Sequence, residues 1–315
     1  MQNTPLVSFI VISYKHEKYI ADCLESILAQ TYGNMEILYL DDASGDGTFD
    51  RACTYRQRFE EKYTRVEYIC NADNQGIVKN LNRLLQICRG DYIKILAADD
   101  FMLCDGIEML VALLEQHTEY DMVYSNGISG DENTHYPLSS VDRNKLLYKG
   151  APPKGNDCFQ LLYENDFIAA PGVMIRASTY RLIGPYDCDI GVEDWDYFLR
   201  IARVGTIGYL SSPTVMYRML SSSVSHSSDP KRRINMKRSE LKVLEKHKDN
   251  IDQAEKYIGI SLNEALQDAF HIDDKDYMSY LFLYAERNKV KISYRNKMKY
   301  VLYKAGVIKF MNWLR

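Results

Sequence analysis

Apolar runs that stop abruptly on acids, each followed by a stretch with helical spacing, most constrain how this chain can fold. Residues 7–14 (VSFIVISY), 35–42 (MEILYLDD), 66–70 (VEYIC), 92–100 (YIKILAADD) and 121–126 (DMVYSN) read as strands, several of them apolar without a break, the pattern of strands covered on both faces. Helical spacing fills the gaps. Residues 17–32 put Ile20, Cys23, Leu24, Ile27 and Leu28 on one face, and 49–63, 76–89 and 106–117 read as further helices, with GDGT (45–48) as a turn and helix start. Strands alternating with helices predict an α/β fold, a mostly parallel sheet flanked by helices. Such a sheet binds ligands at the carboxyl ends of its strands, where Asp41-Asp42 and Asp99-Asp100 fall.

Beyond the alternation, residues 127–157 turn polar and rich in Gly, Pro and Asn, and read as a long connection able to act as a lid. Order resumes with 158–167, a strand over 172–178 and a helix over 192–205; 220–233 reads as a loop, and the Lys-, Glu-, Leu- and Tyr-rich remainder as several helices. With 315 residues, 46% hydrophobic and 26% charged, the composition is that of a globular protein with a full core. The seven cysteines are scattered and never form CxxC, which argues against a disulfide framework or a zinc site and for a reducing cytoplasm. Neither a signal peptide nor a spanning apolar segment is expected.

Two carboxylates at one strand end repel each other, and burial raises the cost, so they persist most easily around a cation or hydrogen-bond donors. Mg²⁺ or Mn²⁺ suits such a site, because these ions take carboxylates together with diphosphate oxygens. Either pair alone could equally cap the following helix. Two pairs at strand ends of one sheet favour ligand binding.

Four blocks in order carry a resemblance to family 2 of the GT-A-fold glycosyltransferases: PLVSFIVISYKHEKYIADCLESILAQTY, MEILYLDDASGDGT, NADNQGIVKNLNRLLQICRGDYIKILAADD and EDWDYFLRIARVG. The resemblance spans residues 5 to about 225 and implies a GT-A domain over 1–228, followed by a helical region over 229–315. It implies that Asp42, with Asp41 beside it, contacts the base and ribose of a nucleotide sugar, with Lys79 and Asn82 near the nucleotide. Asp99 and Asp100 match the DxD region, one facing the ribose and the other holding Mn²⁺ or Mg²⁺. Asp194, preceded by Glu193, matches the general base that takes a proton from the acceptor hydroxyl. Trp195 could stack on a sugar, although an aromatic there is more often core. The chain departs from the family at Ala97, where an acid is usual, at Lys15, where Asn is common, and at Leu220, where His is frequent; His226 is a candidate replacement.

The implied activity is inverting transfer from a nucleotide sugar, a UDP-sugar in the first instance, to a glycan or lipid-linked acceptor in surface polysaccharide synthesis such as O-antigen or capsule. The alternative is a degenerate domain that binds nucleotide sugar or glycan without turnover. Residues 287–315 hold nine Lys or Arg and no Asp or Glu, against −4 for the whole chain, so an acidic body precedes a basic tail. Within it Tyr303, Val307, Phe310 and Leu314 share one helical arc, the pattern either of an amphipathic helix lying peripherally on an anionic membrane surface at the cytoplasmic face or of a C-terminal helix packed on the acidic body, with the membrane favoured because lipid-linked acceptors would sit there. No nucleic-acid motif accompanies the basic cluster.

Overall fold

The computed structural model describes residues 4–138, 142, 145–149, 152–155, 158–220 and 229–304. Two compact units divide the chain, one comprising Met1–Cys188 and Glu193–Leu220, the other Asp189–Val192 and Ser221–Arg315.

The first unit is built on strands β1 (Val7–Ser13), β2 (Met35–Asp41), β3 (Val66–Cys70), β4 (Tyr92–Ala97), β5 (Phe101–Met102), β6 (Tyr120–Gly130), β7 (Val173–Arg176) and β8 (Thr206–Arg218). Its helices are α1 (Ile20–Leu28), α2 (Thr48–Cys53), α3 (Arg56–Lys62), α4 (Ile77–Leu85), α5 (Gly106–Gln116), α6 (Cys158–Glu164), α7 (Ala177–Ile183) and α8 (Glu193–Val204). The sheet order is β3-β2-β1-β4-β7-β6-β8-β5. The first four neighbours are parallel, as the alternation predicts, but β7 enters antiparallel between β4 and β6, so the sheet is mixed. β7 follows α6 and a short 3-10 turn at Ala170–Gly172 and runs antiparallel to both of its neighbours, while β6 and β8 pair parallel again.

Both faces of the central strands are covered. Val7, Phe9 and Val11 of β1 share a core with Ile20, Cys23, Leu24 and Ile27 of α1 and with Ile107, Leu110 and Leu114 of α5. Ile12 faces the other way, toward Ile77 and Leu81 of α4. This explains the unbroken apolar runs.

Two expectations need correction. The polar connection begins later than 127, because β6 continues through Gly127 and Gly130 alongside β8. These glycines are packing residues: a Cβ on Gly127 would lie 2.8 Å from Leu147 Cδ1 and 3.2 Å from the Val215 carbonyl. The predicted helix over 49–63 is two helices, α2 and α3, broken near Thr54 and Tyr55.

The second unit contains α9 (Pro230–His247), α10 (Ala254–His271), α11 (Lys275–Arg287) and α12 (Tyr294–Lys304). Asp229 caps α9 and Asp274 caps α11 through side-chain acceptance of backbone N–H groups. Leu241, Leu244, Ile258, Leu262, Leu266, Met278 and Leu281 are buried. On α12, Tyr294, Met298 and Val301 are exposed. Of the tail arc, Val307, Phe310 and Leu314 lie outside the described residues, and so does His226.

Candidate active site

The carboxyl end of β2 turns into a dense hydrogen-bonded corner. Asp41 accepts from the Ser44 N–H at 2.9 Å, from Ser13 Oγ at 2.7 Å and from Ser44 Oγ at 2.5 Å. Asp42 accepts from Asn71 Nδ2 at 2.8 Å, from the Gln75 N–H at 2.8 Å and from the Gly76 N–H at 2.9 Å. Burial acts to raise the Asp42 pKa, but the donors around it, Gln75, Asn80, Asn71 and Gly76, outweigh it and hold the carboxyl below its ordinary value. Asp42 thereby fixes the loop that leads into α4. Gly76, at φ +81°, makes the turn at the start of that helix.

Beyond this loop lies a cavity of about 390 Å³ lined by Asn71, Asp73, Gln75, Lys79, Asn80 and Arg83 among others. Lys79 faces it. Asn82 does not line it: its amide donates to the Tyr186 carbonyl at 2.9 Å and accepts from the Tyr186 N–H at 2.9 Å, clasping α4 to the segment before α8. The resemblance-based expectation that Asn82 approaches the nucleotide has the geometry of a brace instead.

Asp99 and Asp100 sit in the turn between β4 and β5. Asp99 is partly exposed, with His16 Nε2 3.9 Å from its Oδ2. Asp100 is buried and accepts the Arg218 N–H at 2.7 Å. Burial pushes the Asp100 pKa well up and the neighbouring Asp99 charge adds to this, while Arg218 opposes it. Among the described residues no three His, Cys, Asp or Glu side chains gather to hold a metal ion alone. One accessible carboxylate beside one buried carboxylate nevertheless fits an ion whose remaining ligands come from a substrate diphosphate and water.

A second pocket, about 190 Å³, opens against the same strand end. Ile93, Ile95 and Ala97 of β4, Ile77 and Leu81 of α4, Pro171 and Tyr186 give it apolar walls, and Glu193 and Asp194 project into it from the first turn of α8. Ala97 is two residues from Asp99, so the pocket joins the β4 corner to the α8 carboxylates. Burial, reinforced by the Asp194 charge, raises the Glu193 pKa to about 8; burial likewise raises that of Asp194, against hydrogen bonds from the Trp195 N–H and its own backbone. Trp195 itself is core: it is buried, and its Nε1 donates to the Leu162 carbonyl at 2.7 Å. It has no face free for a sugar.

Three side chains that the sequence reading did not single out border the β4 corner. His16 follows Lys15 in the first loop, and its Nδ1 is buried without a partner among the described residues. Lys94 is fully buried in β4, bonded to the Pro171 carbonyl, and burial lowers its pKa to about 7 against the pull of Asp100. A lysine inside the apolar run YIKILA was a visible signal. Arg218, fully buried, donates to Asp22 at 3.2 Å and to the Thr134 carbonyl at 2.8 Å and lies over the Tyr19 ring, while its Nε and Nη1 find no partner among the described residues.

Comparison with known proteins gives this geometry a family. Residues 8–181, more than half of the chain, match the model of glycosyl transferase family 2. Chondroitin synthase of Escherichia coli is 33% identical over 217 residues, 67% of this chain and 28% of that protein. The TarS 1–349 fragment of S. aureus in complex with UDP-GlcNAc superposes with a TM-score of 0.58 at 17% identity, covering 84% of this chain and 72% of that one. The mannosyltransferase PcManGT of Pyrobaculum calidifontis, in complex with GDP-Man and Mn²⁺, superposes with a TM-score of 0.57 at 16% identity, covering 99% and 84%. Those two likenesses assign the fold as GT-A. With a family match running from β1 to α7, the chain belongs to glycosyl transferase family 2 and is a glycosyltransferase.

Proposed function

We propose that this enzyme transfers a sugar, with inversion, from a nucleotide sugar to a hydroxyl of a glycan or lipid-linked oligosaccharide in polysaccharide synthesis. The reading rests foremost on the pocket in which Glu193 and Asp194 meet the carboxyl end of β4. The nucleotide lies along the strand ends, its base and ribose against the loop that Asp42 fixes and toward the cavity lined by Lys79 and Arg83. Asp41 supports that corner from beneath. The diphosphate reaches Asp99 and Asp100.

Asp99 and Asp100 would hold Mn²⁺ or Mg²⁺, which would supply neutralisation of charge on the leaving nucleoside diphosphate. Asp194 takes the proton of the acceptor hydroxyl. That oxygen forms a bond to the anomeric carbon from the face opposite the diphosphate, and the bond from that carbon to the diphosphate oxygen breaks with its electron pair. Apolar walls keep competing water away from the reacting carbon and keep the Asp194 carboxylate basic. UDP heads the donor candidates, because TarS carries UDP-GlcNAc on the same fold; PcManGT carries GDP-Man, so the base is open to test. A glycan acceptor is supported by the relation to chondroitin synthase.

Thermal stabilisation by UDP, GDP, CMP and dTDP, each with Mn²⁺ and with EDTA, tests donor and metal together. One nucleotide is expected to raise Tm in Mn²⁺ and to lose that effect in EDTA. Asp194→Asn is expected to keep the nucleotide shift while losing about 10²- to 10⁴-fold in transfer, the usual contribution of a general base. Full transfer by this variant would remove Asp194 from the mechanism.

A further inference from the structure

His16 lies in the loop that follows β1, the strand between β2 and β4, so it stands between the Asp41-Asp42 and Asp99-Asp100 corners. Sugar transfer as proposed above gives it no task. The backbone around it is pinned from several sides. Lys15, at φ +60°, donates its N–H to Ser44 Oγ at 2.9 Å, and Ser44 Oγ in turn donates to Asp41 at 2.5 Å. The His16 N–H donates to Thr48 Oγ1 at 3.0 Å, and the His16 carbonyl accepts the Tyr19 and Ile20 N–H groups at 2.9 Å each, at the start of α1. The imidazole is therefore aimed by its loop, and little ordering is left for a ligand to impose.

The two ring nitrogens are in different surroundings. Nδ1 is buried with no hydrogen-bond partner among the described residues, although 21% of the side chain is exposed. Nε2 lies 3.9 Å from Asp99 Oδ2, beyond hydrogen-bond reach. A histidine that ligates a metal donates its other N–H to a carboxylate, a carbonyl or water, and no described group accepts from Nδ1. The tautomer with its proton on Nε2 leaves no N–H buried, and it turns a donor toward the Asp99 side of the corner. A nucleoside diphosphate carries more negative charge than one divalent ion offsets, so phosphate oxygens call for protein donors as well. Lys94 and Arg218 are fully buried, and Lys79 and Arg83 line the cavity beyond the Asp42 loop. The His16 Nε2–H is placed to serve.

We propose that His16 donates a hydrogen bond from Nε2 to the diphosphate of the nucleotide sugar and so holds the leaving group. This rests on the reading above that Asp99 and Asp100 receive the diphosphate.

Titration calorimetry on the full chain with UDP, GDP and dTDP in Mn²⁺ tests it. For the nucleotide that binds, His16→Phe is expected to weaken affinity about 10- to 100-fold, the range for a hydrogen bond to a charged group. Phenylalanine keeps a ring for any stacking and removes both nitrogens. His16→Gln sets an amide N–H where Nε2 stood and should restore most of the affinity, whereas His16→Asn reaches only as far as Nδ1 and should not. All three variants should keep the melting temperature of the unliganded wild type. Undiminished affinity in His16→Phe overturns the role, as does a loss that Gln fails to restore or that follows unliganded stability across the variants. Electron-spin-echo spectra of the Mn²⁺–nucleotide complex should show no nitrogen coupling from a bound imidazole; a coupling that vanishes in His16→Phe would make His16 a metal ligand and overturn the role too. If no diphosphate binds the wild type, the reading of Asp99 and Asp100 fails and takes this role with it. If a diphosphate binds with Mn²⁺ and His16→Phe binds it equally well, the role of His16 alone fails.

Discussion

Glu193 holds its proton to about pH 8 because protein surrounds it and Asp194 sits beside it. In the unfolded chain the same carboxyl ionises near its ordinary value, about 4.3. Between these values the folded state binds more protons than the unfolded state, so this residue makes stability fall as pH rises through that window, by at most about 1.4 kcal/mol per pH unit. Glu193→Gln removes the buried charge and is expected to raise Tm at pH 8 relative to wild type and to change it little at pH 5. A pH-independent difference would show that the two acids are not coupled to folding in this way. The sequence made Glu193 and Asp194 conspicuous as acids opening a helix, but a helix dipole alone accounts for such acids. Their apolar surroundings come from Ile93, Pro171 and Tyr186, residues between seven and about a hundred positions away in the chain. Asp42 was legible as a strand-end acid for the same local reason, and the direction of its oxygens was not, since their donors sit on the loop at 71–76.

Elements with a clean local period were readable and those defined by a partner were not. The runs at β1, β2, β3 and β4 are apolar without help from elsewhere. In β8, Ser211, Ser212 and Pro213 interrupt any period, and the strand holds because β6 accommodates it with register shifts around Asn126. Gly127 belongs to the same accommodation. Gly127→Ala is expected to cost about 1–3 kcal/mol in urea unfolding, because the added Cβ meets the Val215 backbone. The clasp between α4 and Tyr186 makes a different kind of test. Asn82→Ala leaves both Tyr186 backbone groups without that partner and should lower stability by about 1–3 kcal/mol. If Asn82 is a brace, nucleotide stabilisation persists in this variant; its selective loss would return Asn82 to the nucleotide.

For the molecule as a whole, charge asymmetry and the mixed sheet were legible to different degrees. Alternating strands and helices gave the α/β class, but the antiparallel β7 is defined by its pairing with β4 and β6, and no local signal encodes that pairing. The basic tail was plain in the residue count. In the structure α12 exposes Tyr294, Met298 and Val301 alongside Arg295, Lys297 and Lys304, a face suited to anionic lipid. Co-sedimentation with vesicles containing phosphatidylglycerol should fall as salt rises and should drop for Lys297→Glu combined with Lys304→Glu. Binding that is indifferent to both would argue that α12 faces something other than a membrane.

The hydrogen bond from the Arg218 N–H to Asp100 closes the β4 corner across 118 positions of chain. During synthesis, β1 to β4 leave the ribosome long before residue 218 exists, so the nascent sheet must wait with Asp100 without this partner, and a product cut short ahead of β8 carries Asp99 and Asp100 without the strand that seats them. Closure of the β4 corner is therefore a late event gated by the arrival of β8, and under the proposed function a chain would hold its sugar nucleotide only once the sheet is finished.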